Sequence, residues 1–434
     1  MTAAVYWFRN DLRLTDNPAL DRACREADEL TLVYVRNADE ATSTRWNFPR
    51  WSSLRRGFRD GAVDGLAGAI AEKGGSLLQV DGAAVTVLID LAGSVGARRV
   101  YCEDIPAPYE RAELQALMAA GLEVRPTWQS TMIHPHDLPF DIDRLPQVFT
   151  AFRQAVERAG VLPQQPLAAP FVLPRAPAFS EPFGPPRMPA SPDVPSDTAS
   201  FPFGDPRFYG AESAALAHLT RYFRSGLPAT YKASRNGLTG TDYSTKFSPW
   251  LATGALSPRT VFAALRSHEA EFGASDGSYW IWFELLWRDF FRFCSQRHGA
   301  RLFSAEGLSK LGVPAHDPEA FLRWCNGTTG QPFVDAGMRE LMATGYLSNR
   351  LRQVVASYLV HDLACDWRAG AAWFESRLID YDVCSNHGNW LYIAGRGADP
   401  RQGRRFDPDQ QAAAYDRDGA YRTLWGTLRQ GEAS

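Results

Sequence analysis

The sequence predicts an α/β N-terminal domain, a parallel sheet with flanking helices, joined by a long Pro-rich connector to an all-helical domain. Three observations carry this. Short apolar runs alternate with amphipathic stretches over the first 130 residues. Thirteen of the 29 prolines fall between residues 163 and 206. Beyond them, apolar residues recur at i, i+3, i+4 and i+7. The domain limits read as 1–130, 131–205 and 206–434.

In the first unit the strand-like runs are Val5–Phe8, Thr31–Val35, Ser76–Val80, Arg99–Glu103 and Glu123–Trp128, with helical periods at 52–73 and 108–120. Such alternation builds a parallel sheet covered by helices. No G-x-G-x-x-G follows the first strand, so nothing marks a dinucleotide site there. The prolines predict a semi-extended linker without a core of its own, wrapping over a surface between two domains. After it, helices are expected at 211–225, 257–272, 279–297, 317–325, 335–344, 347–365 and 370–379.

Composition narrows the function. With 45% hydrophobic and 22% charged residues in 434, the chain is an ordinary globular protein. No uninterrupted apolar run suits a membrane span, and the opening residues read as a strand, so a cytoplasmic protein is expected. The six cysteines form no C-x-x-C pair and suggest neither disulfides nor zinc. Net charge is −3, but residues 1–205 hold 20 Lys+Arg against 26 Asp+Glu and residues 206–434 hold 26 against 23. The second half is the better candidate for an anionic partner.

Three helical-domain segments mix residue types that a purely structural helix would separate. Helical spacing places Glu284, Trp287, Arg288 and Phe291 on one face, either as a buried Glu–Arg pair with packed aromatics or as a pocket wall for a flat heterocycle. Asn349, Arg352 and Gln353 project together from one turn. Asp380 and Asp382 precede Asn386-His-Gly-Asn-Trp390, which reads as a short polar turn able to hold a ribityl chain or a ring N–H. Metal binding by Asp380, Asp382 and His387 is disfavoured because no further ligand stands at useful spacing, and His387 reads as a surface or loop residue. Thr241–Ser248 offers hydroxyls and backbone N–H groups before a helical run, a weak phosphate-binding pattern.

These segments resemble the photolyase/cryptochrome family of blue-light flavoproteins. Trp7-Phe-Arg-Asn-Asp-Leu-Arg-Leu-Thr-Asp-Asn-Pro18 is similar to its opening strand and turn, and Arg235–Ala252 is similar to the DASH-type cryptochromes. Phe283–Phe291, Thr329–Asn349 and Leu378–Gly395 extend the resemblance, which runs from residue 3 to about 425. It implies an antenna domain, a connector and a helical domain holding FAD.

Position by position, the resemblance implies that Tyr231 and Ser244, Thr245, Lys246, Phe247 and Ser248 hold the FAD phosphates and adenosine end. Arg288, Arg352, Asp380, Asp382 and Asn386 would surround the flavin, with Arg352 and Asp380 pairing beside it and the Asn386 amide facing N5 as in repair enzymes. Glu284, Trp287, Asn349, Gln353 and Tyr392 would line the cavity for a flipped-out pyrimidine dimer. Arg235, Arg350 and Gln411 would contact the DNA backbone. Tyr392 and Gln353 stand where double-strand-repairing relatives often have Trp and Met, which favours single-stranded or looped DNA.

The resemblance has two departures. Trp390 and Trp367 match the inner two tryptophans of the family's electron relay, but the outer position is Pro314, and Trp324 is the candidate substitute donor. Glu110 matches the acid that holds a folate antenna (methenyltetrahydrofolate) in relatives, yet its neighbourhood is unlike theirs. The activity implied is light-driven dimer repair by electron transfer from reduced flavin, by a monomer acting on DNA and independent of membranes. The alternatives are a blue-light receptor that binds DNA or protein without repair, and a redox flavoprotein without photochemistry.

Overall fold

The computed structural model describes residues 2–176, 198–397 and 403–426. Strands β1 (Ala3–Phe8), β2 (Glu29–Asn37), β3 (Leu77–Gly82), β4 (Arg99–Glu103) and β5 (Glu123–Thr127) pair in the order β3-β2-β1-β4-β5, all parallel. All five expected runs are strands. β1 shows why: Tyr6 and Phe8 pack with Leu20 and Leu66 on one face, and Val5 and Trp7 with Leu88 and Leu117 on the other. A strand buried on both faces reads as a continuous apolar run. The covering helices are α1 (Pro18–Glu26), α2 (Ser53–Glu72), α3 (Ala84–Ser94) and α4 (Pro108–Ala119).

The 131–205 stretch begins with folded chain ahead of its dense prolines. Helix α5 (Phe149–Arg158) lies within it and buries Phe149, Phe152 and Val156 in the core of the helical domain beside Phe290 and Phe293. The dense prolines begin only at 163, so the preceding segment is free to fold. Further along, Leu30 N–H donates to the Arg175 carbonyl at 3.0 Å and Leu173 is buried against the sheet. The rest of the Pro-rich stretch, 177–197, lies outside the described residues.

Among the described residues twelve further helices follow: α6 (Glu212–Phe223), α7 (Leu227–Ser234), α8 (Ser248–Thr253), α9 (Pro258–Phe272), α10 (Asp276–His298), α11 (Pro318–Cys325), α12 (Pro332–Thr344), α13 (Asn349–Ser357), α14 (Trp367–Arg377), α15 (Val383–Ile393), α16 (Pro408–Tyr415) and α17 (Ala420–Leu424). The expected helix 347–365 is α13 followed by a π turn, Tyr358–Asp362. The segment 386–390, expected as a polar turn, belongs to α15. Asp382 starts that helix by accepting the Ser385 N–H at 2.8 Å, while Trp390, Leu391 and Ile393 anchor it in the core. His387 is accordingly a half-buried helix residue with its ring 4.2 Å from Phe303, not a loop residue.

The family-like opening turn docks the two domains. Leu12 N–H donates to Thr253 O at 3.2 Å, the Arg13 guanidinium donates to Gly254 O at 2.9 Å, and Asp16 forms a buried pair with Arg259 at 2.8 Å. Gly254 is left-handed (φ +73), and a Cβ there would stand 1.8 Å from Asn10 O. Only glycine fits that approach.

Candidate cofactor and DNA site

A cleft opens where α13, the end of α14 and α15 meet. Asn349, Arg352, Gln353, Asp380, Asp382, Asn386, Trp390 and Tyr392 all line it. Ser348 caps α13 through the Leu351 N–H, which points the next turn at the cleft. The Arg352 guanidinium donates to Asp380 at 2.8 Å and to Leu347 O at 2.8 Å, so the expected pair forms and is braced by backbone. Asn386 donates its side-chain N–H to Ala371 O at 3.1 Å, which fixes the plane of its amide. Trp390 is buried at the base.

Arg288 is placed differently. Its guanidinium donates to the carbonyls of Ser130 and Leu251 and is absent from the cleft lining. Arg292, which sequence reasoning did not single out, holds Asp382 at 2.6 Å. Burial alone would raise the Asp382 pKa, but Arg292 and Arg288 outweigh it and hold the carboxyl well below the usual carboxylate range.

Tyr231 and the Ser244–Ser248 turn are not part of that cleft lining. Lys246 adopts a left-handed conformation (φ +57) and sends its ammonium into the interior, 3.2 Å above the Tyr243 ring and 5.1 Å from that of Tyr346. Arg352 reaches the same Tyr346 ring, at 5.6 Å, so the turn and the Arg352–Asp380 pair share one neighbourhood. Sequence reasoning missed His218, which supports the turn: Nε2–H donates to Thr245 O at 2.9 Å while Nδ1 accepts from Arg221 at 2.6 Å. Burial lowers its pKa to about 4, so the imidazole is neutral. Nothing local in the sequence marks it, because its partner lies 27 residues away.

The residues expected to meet DNA form two groups. Glu284 on α10 pairs with Arg235, whose guanidinium stacks on Trp280 at 4.2 Å. Burial raises the Glu284 pKa, and Arg235 only partly offsets it. Trp287 stacks on Phe149 at 3.8 Å and meets Tyr392 edge-on at 6.1 Å, lining an apolar hollow next to the cleft with Tyr392 as shared wall. Arg350 donates to Asn236 at 3.0 Å and to Gln411 at 3.4 Å, and stacks on Tyr415.

The family model "FAD binding domain of DNA photolyase" matches residues 280–427, and "DNA photolyase" matches residues 4–171. The "Cryptochrome DASH" of Natronomonas pharaonis is 43% identical over 98% of this chain and 90% of its own. The chain belongs to the photolyase/cryptochrome family. The crystal structure of a Synechocystis cryptochrome superposes with a TM-score of 0.92 at 39% identity, over 98% of this chain and 88% of that one. A class III photolyase from Agrobacterium tumefaciens gives 0.78 at 29% identity, over 98% and 86%.

FAD is the cofactor of this family's helical domain, and the site fits it. Lys246 Nζ and Asp380 Oδ1 are among the buried polar atoms that have no hydrogen-bond partner in the protein. An ammonium buried without an acceptor is costly, and a phosphate oxygen satisfies it. The Asp380 oxygen can accept a ring N–H. Tyr231 and Ser244 to Ser248 precede the matched FAD-binding segment. Glu110, on α4, lies beside Arg9, which donates to its backbone carbonyl at 3.2 Å, and burial raises its pKa. Among the described residues no His/Cys/Asp/Glu group could hold a metal, and no helix is long and apolar enough to cross a membrane.

Proposed function

We propose that this protein is a blue-light-driven, FAD-dependent lyase that splits cyclobutane pyrimidine dimers, prefers single-stranded or looped DNA, and works as a cytoplasmic monomer. The observation that carries the reading is Glu284, a half-buried carboxyl that Arg235 holds beside the Trp280 ring and whose pKa burial raises. The pair offers polar groups to a thymine carbonyl edge, where they would stabilise negative charge that develops there.

Bound FAD, once reduced and excited, supplies the single electron that opens the dimer. The protein's own residues do the rest. Lys246 and the Ser244–Ser248 turn bind the phosphates, the Arg352–Asp380 pair orients the ring, and the Asn386 amide presents a group that cannot act as a proton donor of carboxylic strength. Asn349 and Gln353 offer amide groups to the base edges, while Trp287 and Tyr392 supply flat surfaces. Arg235 and Arg350 would meet backbone phosphates, which would let a chain of net charge −3 bind DNA locally.

The strand preference follows from the cost of extracting the lesion. Flipping is least costly from a strand without a pairing partner, and Tyr392 and Gln353 give a weaker apolar wall than Trp and Met would. The test is dimer loss under blue light on matched single- and double-stranded oligonucleotides, using fully reduced protein. Repair of the single-stranded substrate is expected. A second reading, a light receptor that binds DNA or a protein without repair, draws on the cryptochrome name carried by the relatives. It predicts light-dependent partner binding with no dimer loss.

A further inference from the structure

The outer relay position holds Pro314, and the ring contacts of the inner tryptophans point elsewhere. Trp367 is buried, donates its indole N–H to Ala305 O at 3.2 Å, and meets the His387 ring at 6.1 Å. Trp390 instead meets Trp324 edge-on, with ring centroids 6.4 Å apart. Phe374 bridges the same two rings, 5.2 Å from Trp390 and 6.2 Å from Trp324. Trp324 is fully buried and continues outward: Phe321 stacks on it at 6.0 Å, and Trp46 lies 6.3 Å beyond Phe321. Trp46 is half-buried at the surface.

We infer that Trp390, Trp324 and Trp46 form an electron route from the flavin cleft to the surface, with Phe321 as a bridge between the last two, ending on the α/β domain. The inference rests on the light-driven reading above. Electron tunnelling falls steeply with the gap between rings, so a line of rings in contact outperforms a path that lacks its outer member. The route is held rigidly across the domain boundary. The segment carrying Trp46 is fastened to α14 by Ser52 N–H to Ser376 O at 2.8 Å, Ser376 Oγ–H to Pro49 O at 2.7 Å, and the Arg50–Glu375 pair at 2.9 Å.

The step balances within the protein. An electron withdrawn from the Trp390 indole toward the oxidised cofactor is replaced from Trp324, and that one from Trp46 across Phe321. Phenylalanine is not itself oxidised, so it only shortens the tunnelling gap. The Arg45 guanidinium, 4.5 Å from the Trp46 ring, disfavours a positive charge there. The hole therefore settles as a neutral indole radical when the Trp46 N–H proton leaves. The proton passes to solvent at this half-buried ring, against which the His316 ring packs at 4.7 Å.

The test uses the FAD-loaded protein, oxidised, excited by a blue flash. Indole radicals are followed by transient absorption, and their separation from the cofactor by time-resolved electron paramagnetic resonance. Trp324→Phe and Trp46→Phe should each lower the long-lived radical by about tenfold or more, while Trp367→Phe retains it. Trp46→Tyr, which restores an oxidisable ring, should return a long-lived signal with a tyrosyl signature. A Trp46→Phe protein with the wild-type radical and separation overturns the route, and so does loss of the radical in Trp367→Phe with Trp324→Phe unaffected. Repair by chemically reduced protein is a separate readout: its absence overturns the lyase reading and leaves the radical measurement valid.

Discussion

Lys246 makes physical sense only with an anion beside it. Its ammonium is buried, has no hydrogen-bond acceptor, and its pKa is lowered by burial. A charge-assisted hydrogen bond to a phosphate contributes about 1.5–3 kcal/mol, so Lys246→Met should weaken FAD binding by roughly 10- to 100-fold, measured by cofactor titration of the apoprotein. Glu284 belongs to the opposite group. Glu284→Ala should retain FAD but lose repair yield by about 2–4 kcal/mol of transition-state stabilisation, and equal quantum yields in mutant and wild type would remove it from the mechanism. His218 gives a pH signature. The folded imidazole stays neutral down to about pH 4, whereas the ordinary value is 6.5. Between those values the unfolded chain binds the extra proton, so this contribution to stability is present above pH 6.5 and is lost as pH falls toward 4. The whole shift is worth about 3 kcal/mol. Thermal melts should show a shallower acid loss in His218→Gln than in the wild type.

At the scale of elements, α15 shapes the cleft and the loop after α8 docks the two domains. Asp382 caps α15 and is the partner of buried Arg292. Asp382→Ala leaves that guanidinium without its anion and should cost about 3–5 kcal/mol of stability, read by denaturant unfolding, together with FAD retention. Gly254→Ala should be comparably damaging through the collision with Asn10 O at a left-handed position, and the loss should appear as domain separation before unfolding of the α/β unit. The legible elements were those with a single demand on their residues. Strands β1, β2 and β4 read cleanly because both faces are buried, and α9 to α12 because one stripe is. Helix α15 did not, because Asp382, Asn386 and Asn389 face the cleft and interrupt its apolar period. Helices α7 and α8, with eight and six residues, are too short to show a period. Helix α5 was hidden by its nearness to the prolines. Within the site, Arg352–Asp380 was foreseeable from the paired motifs. Arg292 was not, since it carries the same charge as Arg288 one helical turn earlier and only packing decides which reaches Asp382.

At the scale of the molecule, two domains with different internal rules meet along a charged and hydrogen-bonded seam, and the helical one holds the cofactor cleft. The opening turn, Asp11 to Asn17, belongs to the sheet by sequence but to the seam by function: Asp16 takes two hydrogen bonds from Arg259, at 2.8 and 3.0 Å. The two domains should therefore unfold in one transition when FAD is bound, and binding should raise the melting temperature in proportion to the logarithm of free FAD. The most direct measurement is the loss of cyclobutane dimers from a single-stranded oligonucleotide, with chemically reduced, FAD-loaded protein, under blue light and in the dark. The account predicts dimer loss in the light alone, and slower or no loss from the matched duplex. Intact dimers after illumination of fully reduced protein that binds the oligonucleotide would contradict it.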